Sequence, residues 1–83
     1  MIYILNLTIH KKNGESSYYE DEKYDNREVA ETKKSSMVTT VREIIRDGSR
    51  GYVQFTRGNE VKIINIEADE IKSITFDIIE RKS

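Results

Sequence analysis

Cysteine, proline and tryptophan are all absent from this chain of 83 residues. Without cysteine there is no disulfide and no thiolate metal site to stabilise a small core. A single histidine, His10, excludes a histidine-rich metal site and leaves one candidate for any Ser-His-acid set. His10 falls late in an alternating segment beside Lys11 and Lys12, and no serine sits in a G-x-S-x-G elbow. It is expected to be an exposed strand residue. Phosphate-binding glycine loops of either common form are missing too. The four glycines, at 14, 48, 51 and 58, stand where turns or caps are expected. No stretch approaches the ~18 consecutive apolar residues that cross a bilayer. Residues 1–12 lack the basic start and the small-residue cleavage site of a signal peptide. The expectation is a cytoplasmic protein that is not an enzyme, with no cofactor, no metal and no membrane association.

What is present is 36% apolar and 35% charged. That suffices for one domain over residues 1–83 with one modest core. A domain this small, without covalent or metal staples, commonly gains stability by self-association, so a homo-oligomer is expected. The net charge of −1 conceals blocks. Residues 13–31 carry seven acids against two bases, and residues 32–62 seven bases against three acids. Such blocks are either partner-facing surfaces or solvated faces that neutralise one another.

Residues 2–10 alternate with period two, so Tyr3, Leu5, Leu7 and Ile9 share one face of a strand. Asn13-Gly14 predicts a two-residue type I′ turn, setting Ile9 opposite Tyr18 and Thr8 opposite Tyr19. Residues 25–34 read as a polar connector, with a helical turn as the alternative. From Ser35 the apolar positions Met37, Val38, Val41, Ile44 and Ile45 form a helical stripe. Ser35 or Ser36 is the expected N-cap and Gly48 the C-terminal stop. Residues 52–56 and 60–66 predict a second hairpin around Arg57-Gly58-Asn59. A three-residue loop there sets Phe55 against Val61 and Val53 against Ile63. Ile74, Phe76 and Ile78 alternate as a last strand. The expected fold is α+β: one small, mostly antiparallel sheet of about five strands with one packed helix, in the order ββαβββ. Ile2, Ile4 and Ile64 are expected on the face away from the helix, as an apolar patch that would serve self-association.

Two surfaces are candidates for binding. The segment from Glu15 to Asp25 combines five carboxylates with three tyrosines. Tyr18, Tyr19, Glu20, Asp21, Glu22 and Tyr24 would supply rigid aromatic anchors amid dense negative charge, which can imitate a row of phosphates. The plainer reading packs Tyr18 on the core and leaves the acids to keep an edge strand from further pairing. The second surface is basic. Arg42 and Arg46 lie one helical turn apart, Arg50 follows in a loop, and Lys33 and Lys34 precede the helix. Together they would suit a nucleic-acid backbone, but Glu43 and Asp47 share the helix and the isoelectric point is about 5.8. Glu60-Val61-Lys62, with Asp47 upstream, has the outline of a metal-dependent nuclease triplet. Glu60 and Lys62 are more simply solvent-facing strand residues. In size and style the chain resembles short accessory proteins of bacteria and their phages, some of which inhibit a partner. The leading expectation is a module that binds another protein, with nucleic-acid binding as the alternative.

Overall fold

The computed structural model of the chain describes residues 1–57 and 59–82, without the side chains of Glu22 and Arg57. The described elements are β1 (Ile2–Lys11), β2 (Ser16–Tyr24), α1 (Arg27–Asp47), β3 (Arg50–Arg57), β4 (Glu60–Glu67), a 3-10 turn (Ala68–Glu70) and β5 (Ile71–Arg81). The fold is α+β with the order ββαβββ. Its strands divide into two antiparallel sheets where one was expected: β2-β1-β5, with β1 central, and the hairpin β3-β4. The inward row of β1, Leu5, Leu7 and Ile9, lies opposite Ile78, Phe76 and Ile74 of β5. These residues join Ala30, Met37 and Val41 of α1 and Val53, Phe55, Ile64 and Ile66 of the second hairpin in one core cluster.

Both hairpin loops differ from expectation, and in opposite senses. In the first, the Lys11 N–H donates to the Glu15 carbonyl at 2.8 Å and the Gly14 N–H to the Lys11 carbonyl at 3.1 Å. Gly14 has φ 93°, while no described non-glycine residue has positive φ. Asn13 is therefore outside the region that a type I′ turn demands of both central residues. Instead its Oδ1 accepts the Glu15 N–H at 2.9 Å, and three residues span the turn, with Gly14 in the left-handed position. Thr8 consequently faces Tyr18, and Leu7 faces Tyr19. In the second hairpin the pairs are Phe55–Lys62 and Val53–Ile64, and the last pair, Arg57–Glu60, leaves only two residues between. Gly58, on which the expected loop centred, lies outside the described residues.

A one-residue change of register exchanges the faces of a strand. Ile64 and Ile66 thus turn inward, where the helix and β1 cover them, and Val61 and Ile63 turn out. The expected patch of Ile2, Ile4 and Ile64 does not form, because Ile64 is core and Ile4 is buried between its cross-strand neighbours Lys23 and Ile79.

The helix begins at Arg27, its N-cap Asn26 standing nine residues before Ser35, the earlier of the two expected caps. Asn26 caps it, its side chain accepting the Glu28 N–H at 2.7 Å. Ser35 and Ser36 sit inside the helix and receive back-bonds on their carbonyls from Thr39 and Thr40. Gly48 ends it as expected in the left-handed region, φ 65°. Hydrogen bonds from Gly48 N–H to Ile45 O and from Ser49 N–H to Ile44 O complete a Schellman motif. Ile45 leaves the stripe and is exposed. Gly51 is needed for close approach: a Cβ there would lie 2.3 Å from Ile44 Cδ1, so its absence lets the helix end rest on β3.

Candidate functional site

The acidic tyrosine segment is divided by its own alternation. Tyr18 and Glu20 face outward, and the Tyr18 hydroxyl donates weakly to Glu20 at 3.4 Å. The Tyr18 hydroxyl titrates above its ordinary value, through partial desolvation first and the Glu20 carboxylate second. Tyr19 and Asp21 face inward. Between Asn6 and Ile4 the register shifts, a bulge that resets the phase so that Tyr24 also turns inward.

Asp21, expected at an exposed binding surface, is 2% exposed. Its Oδ1 accepts the Thr56 backbone N–H at 2.8 Å, its Oδ2 accepts the Tyr24 hydroxyl at 2.8 Å, and the Lys33 ammonium stands 3.7 Å away. A carboxylate with two donors and a cation is a satisfied buried charge, and this one ties β2 to β3 and to α1. Tyr24 is likewise buried. Tyr19 is half-buried, with the Lys62 ammonium 4.9 Å from its ring centroid. Lys62 is solvent-exposed as expected, and its ammonium also makes a contact between the two hairpins. The expected six-residue site therefore reduces to Tyr18 and Glu20 as available surface; the Glu22 side chain lies outside the described residues.

The basic residues do not gather into one unopposed field. Lys33 is taken up by Asp21. Arg46 lies 3.6 Å from Asp47, and Arg50 lies 3.9 Å from Glu67. Lys34 is half-buried on the helix, and Arg42 is exposed. His10 is partly exposed, its Nδ1 2.8 Å from the Ser16 hydroxyl.

The surface that composition did not reveal is the outward face of β3-β4. Above the Arg50–Glu67 pair at its base, this face carries Tyr52 and Asn65, Gln54 and Ile63, then Thr56 and Val61. None of the six is charged, in a chain that is 35% charged. Tyr52, Ile63 and Val61 are 54%, 55% and 61% exposed. Beside them a groove of about 370 Å³ runs between α1 and β3, lined by Met37 and Val53 with Lys33, Thr40, Tyr52 and Gln54. The six residues of the face are uncharged, and the adjoining groove has Met37 and Val53 on its floor with Lys33 and polar side chains at its rim. The signal of this face in the sequence was the Val61/Ile63 alternation, which points outward only once the turn length is known.

Asn6 is buried on the outer face of β1 between Glu20 and Asp77, and its Oδ1 has no hydrogen-bond partner among the described residues. No group of three or more His, Asp or Glu side chains among the described residues could hold a metal ion. No described helix is long and apolar enough to cross a membrane. Compared with known proteins, the chain matches no family model, no curated protein and no solved structure.

Proposed function

We propose that the chain is a non-enzymatic protein-interaction module, and that its partner-binding face is the outward face of β3-β4 with the adjoining α1/β3 groove. The observation that carries this is the row of three large apolar side chains, each more than half exposed, on a face uncharged above the Arg50–Glu67 pair at its base. Single exposed apolar residues are ordinary on protein surfaces, whereas a contiguous set points to a contact. The partner is another protein, met in the cytoplasm, and the role is that of an accessory or inhibitor. Capture of Lys33 by the buried Asp21, with acids beside Arg46 and Arg50, favours this reading over nucleic-acid binding, which needs a continuous positive field to meet phosphates. Self-association belongs to the proposal as well.

The test is affinity capture from the cells that carry the protein, with nuclease present, comparing the parent with Val61→Lys and Ile63→Lys. The expected result is a protein retained by the parent and by Glu20→Lys, but lost from both β4 variants. Capture that survives both lysines and fails in Arg42→Glu/Arg46→Glu, or that vanishes with nuclease, would reverse the reading.

A further inference from the structure

The second free surface of the molecule is an edge. β5 has β1 on one side, and no described strand pairs with its other side. Along its 11 residues, alternate N–H and C=O groups point away from the sheet. Proteins usually blunt such an edge with proline, a central bulge or a lysine. β5 has no proline, its register shift against β1 lies at its very start, and Asp77 is the only charge between residues 73 and 79.

The core is also open along this edge. Ile74, Phe76 and Ile78 pack on the same cluster as Leu5, Leu7 and Ile9. The β1 residues are buried, but their β5 neighbours remain partly exposed, since no described strand flanks β5 on that side.

From these two features and the order of residues along β5 we infer that a second copy of this chain pairs with β5 edge to edge, antiparallel, about a twofold axis at Phe76. In this register Ile74 meets Ile78 of the second copy, Thr75 meets Asp77, and Lys72 meets Glu80. The axis repeats each pair, so the interface is isologous and self-complementary. The neighbouring registers that keep both cores on the same side are worse. An axis at Asp77 sets two aspartates together and Ile74 against Glu80. An axis at Thr75 sets Lys72 against Ile78. Glu80 already accepts from Arg27 of α1, and a carboxylate has lone pairs enough for a lysine as well. The product is a continuous six-stranded sheet with both open core edges closed against each other. This inference rests on the self-association part of the proposed function and names its surface; it leaves the β3-β4 face free.

Because the chain has no cysteine, a crosslinking test is clean. Sedimentation of the parent at high micromolar concentration should give twice the 9.7 kDa chain mass. Thr75→Cys/Asp77→Cys, both at exposed outer-face positions, should give a covalent dimer on mild oxidation, and Ile63→Cys should not. Lys72→Glu should weaken the dimer by roughly tenfold through two like-charge pairs, and adding Glu80→Lys should restore it. A monomeric parent, an unchanged Lys72→Glu dimer, or crosslinking through Ile63→Cys in place of the β5 pair would overturn the inference. A parent that is monomeric yet captures its partner would sink the β5 dimer alone. A β5 dimer that captures nothing would sink the β3-β4 reading alone.

Discussion

The outward faces of the two sheets make opposite use of their residues. That of β2-β1-β5 carries Lys23, Glu20, Asp77 and Arg81 around Tyr18, and it is the surface that charge density singles out. That of β3-β4 carries no charge between its base and its turn. The comparison teaches that dense charge in a short chain need not all be displayed. In the first sheet one of the acids is architecture, because Asp21 goes inside to hold β3 by the Thr56 amide. In the second, the absence of charge is the informative feature.

Removing the inward acid should show the largest effect. Asp21→Ala removes the acceptor of the Thr56 N–H and the counter-charge of Lys33, and should cost about 2–3 kcal/mol in urea denaturation. Its neighbour Glu20→Ala should change stability by less than about 0.5 kcal/mol. Equal effects at the two positions would erase the distinction between buried and displayed acid. Next comes the inner row of β3. Gly51→Ala forces Ile44 aside and should destabilise by about 1–3 kcal/mol, and Ile44→Val in the same chain should recover part of that loss. Asn26→Ala should cost about 1 kcal/mol, read as a lowered melting temperature, by removing the acceptor for the Glu28 amide. The smallest effect belongs to the outward face of β4. Ile63→Lys should shift the unfolding free energy by less than about 0.5 kcal/mol while abolishing capture of the partner. A large loss of stability there would mean that Ile63 is covered within its own chain.

Much of this fold could be read from alternation alone. The inward row of β1, the stripe from Met37 to Ile44, the stop at Gly48 and the alternation of β5 all follow from period and cap chemistry. The first half of α1 was not legible, because from Arg27 to Ser36 the apolar residues are only Ala30, which is buried, and Val29, which is exposed. The hairpin loops were not legible because Asn-Gly and Gly-Asn each suit more than one loop length. The length is decided by which row has something to pack on, and Ile64 and Ile66 had the helix and β1. The exposure of candidate surface residues was not legible for the same reason. Whether Val61 and Ile63 are core or surface turns on a single residue in the loop. Likewise, whether Tyr24 is an anchor or a core ring turns on a bulge that no residue type announces.

The central position of β1 has a kinetic side. Its two partners come from opposite ends of the chain: β2 follows at once, whereas β5 pairs Ile2 with Arg81. The β1-β2 hairpin and the helix can form from nearby contacts. The β1-β5 ladder must first close a loop of nearly the whole chain, and such closure sets the pace of folding. On the ribosome, Leu5, Leu7 and Ile9 are therefore made well before the β5 strand they pack beside, and they can stick to the wrong surface for at least the time it takes to translate the residues between the two strands.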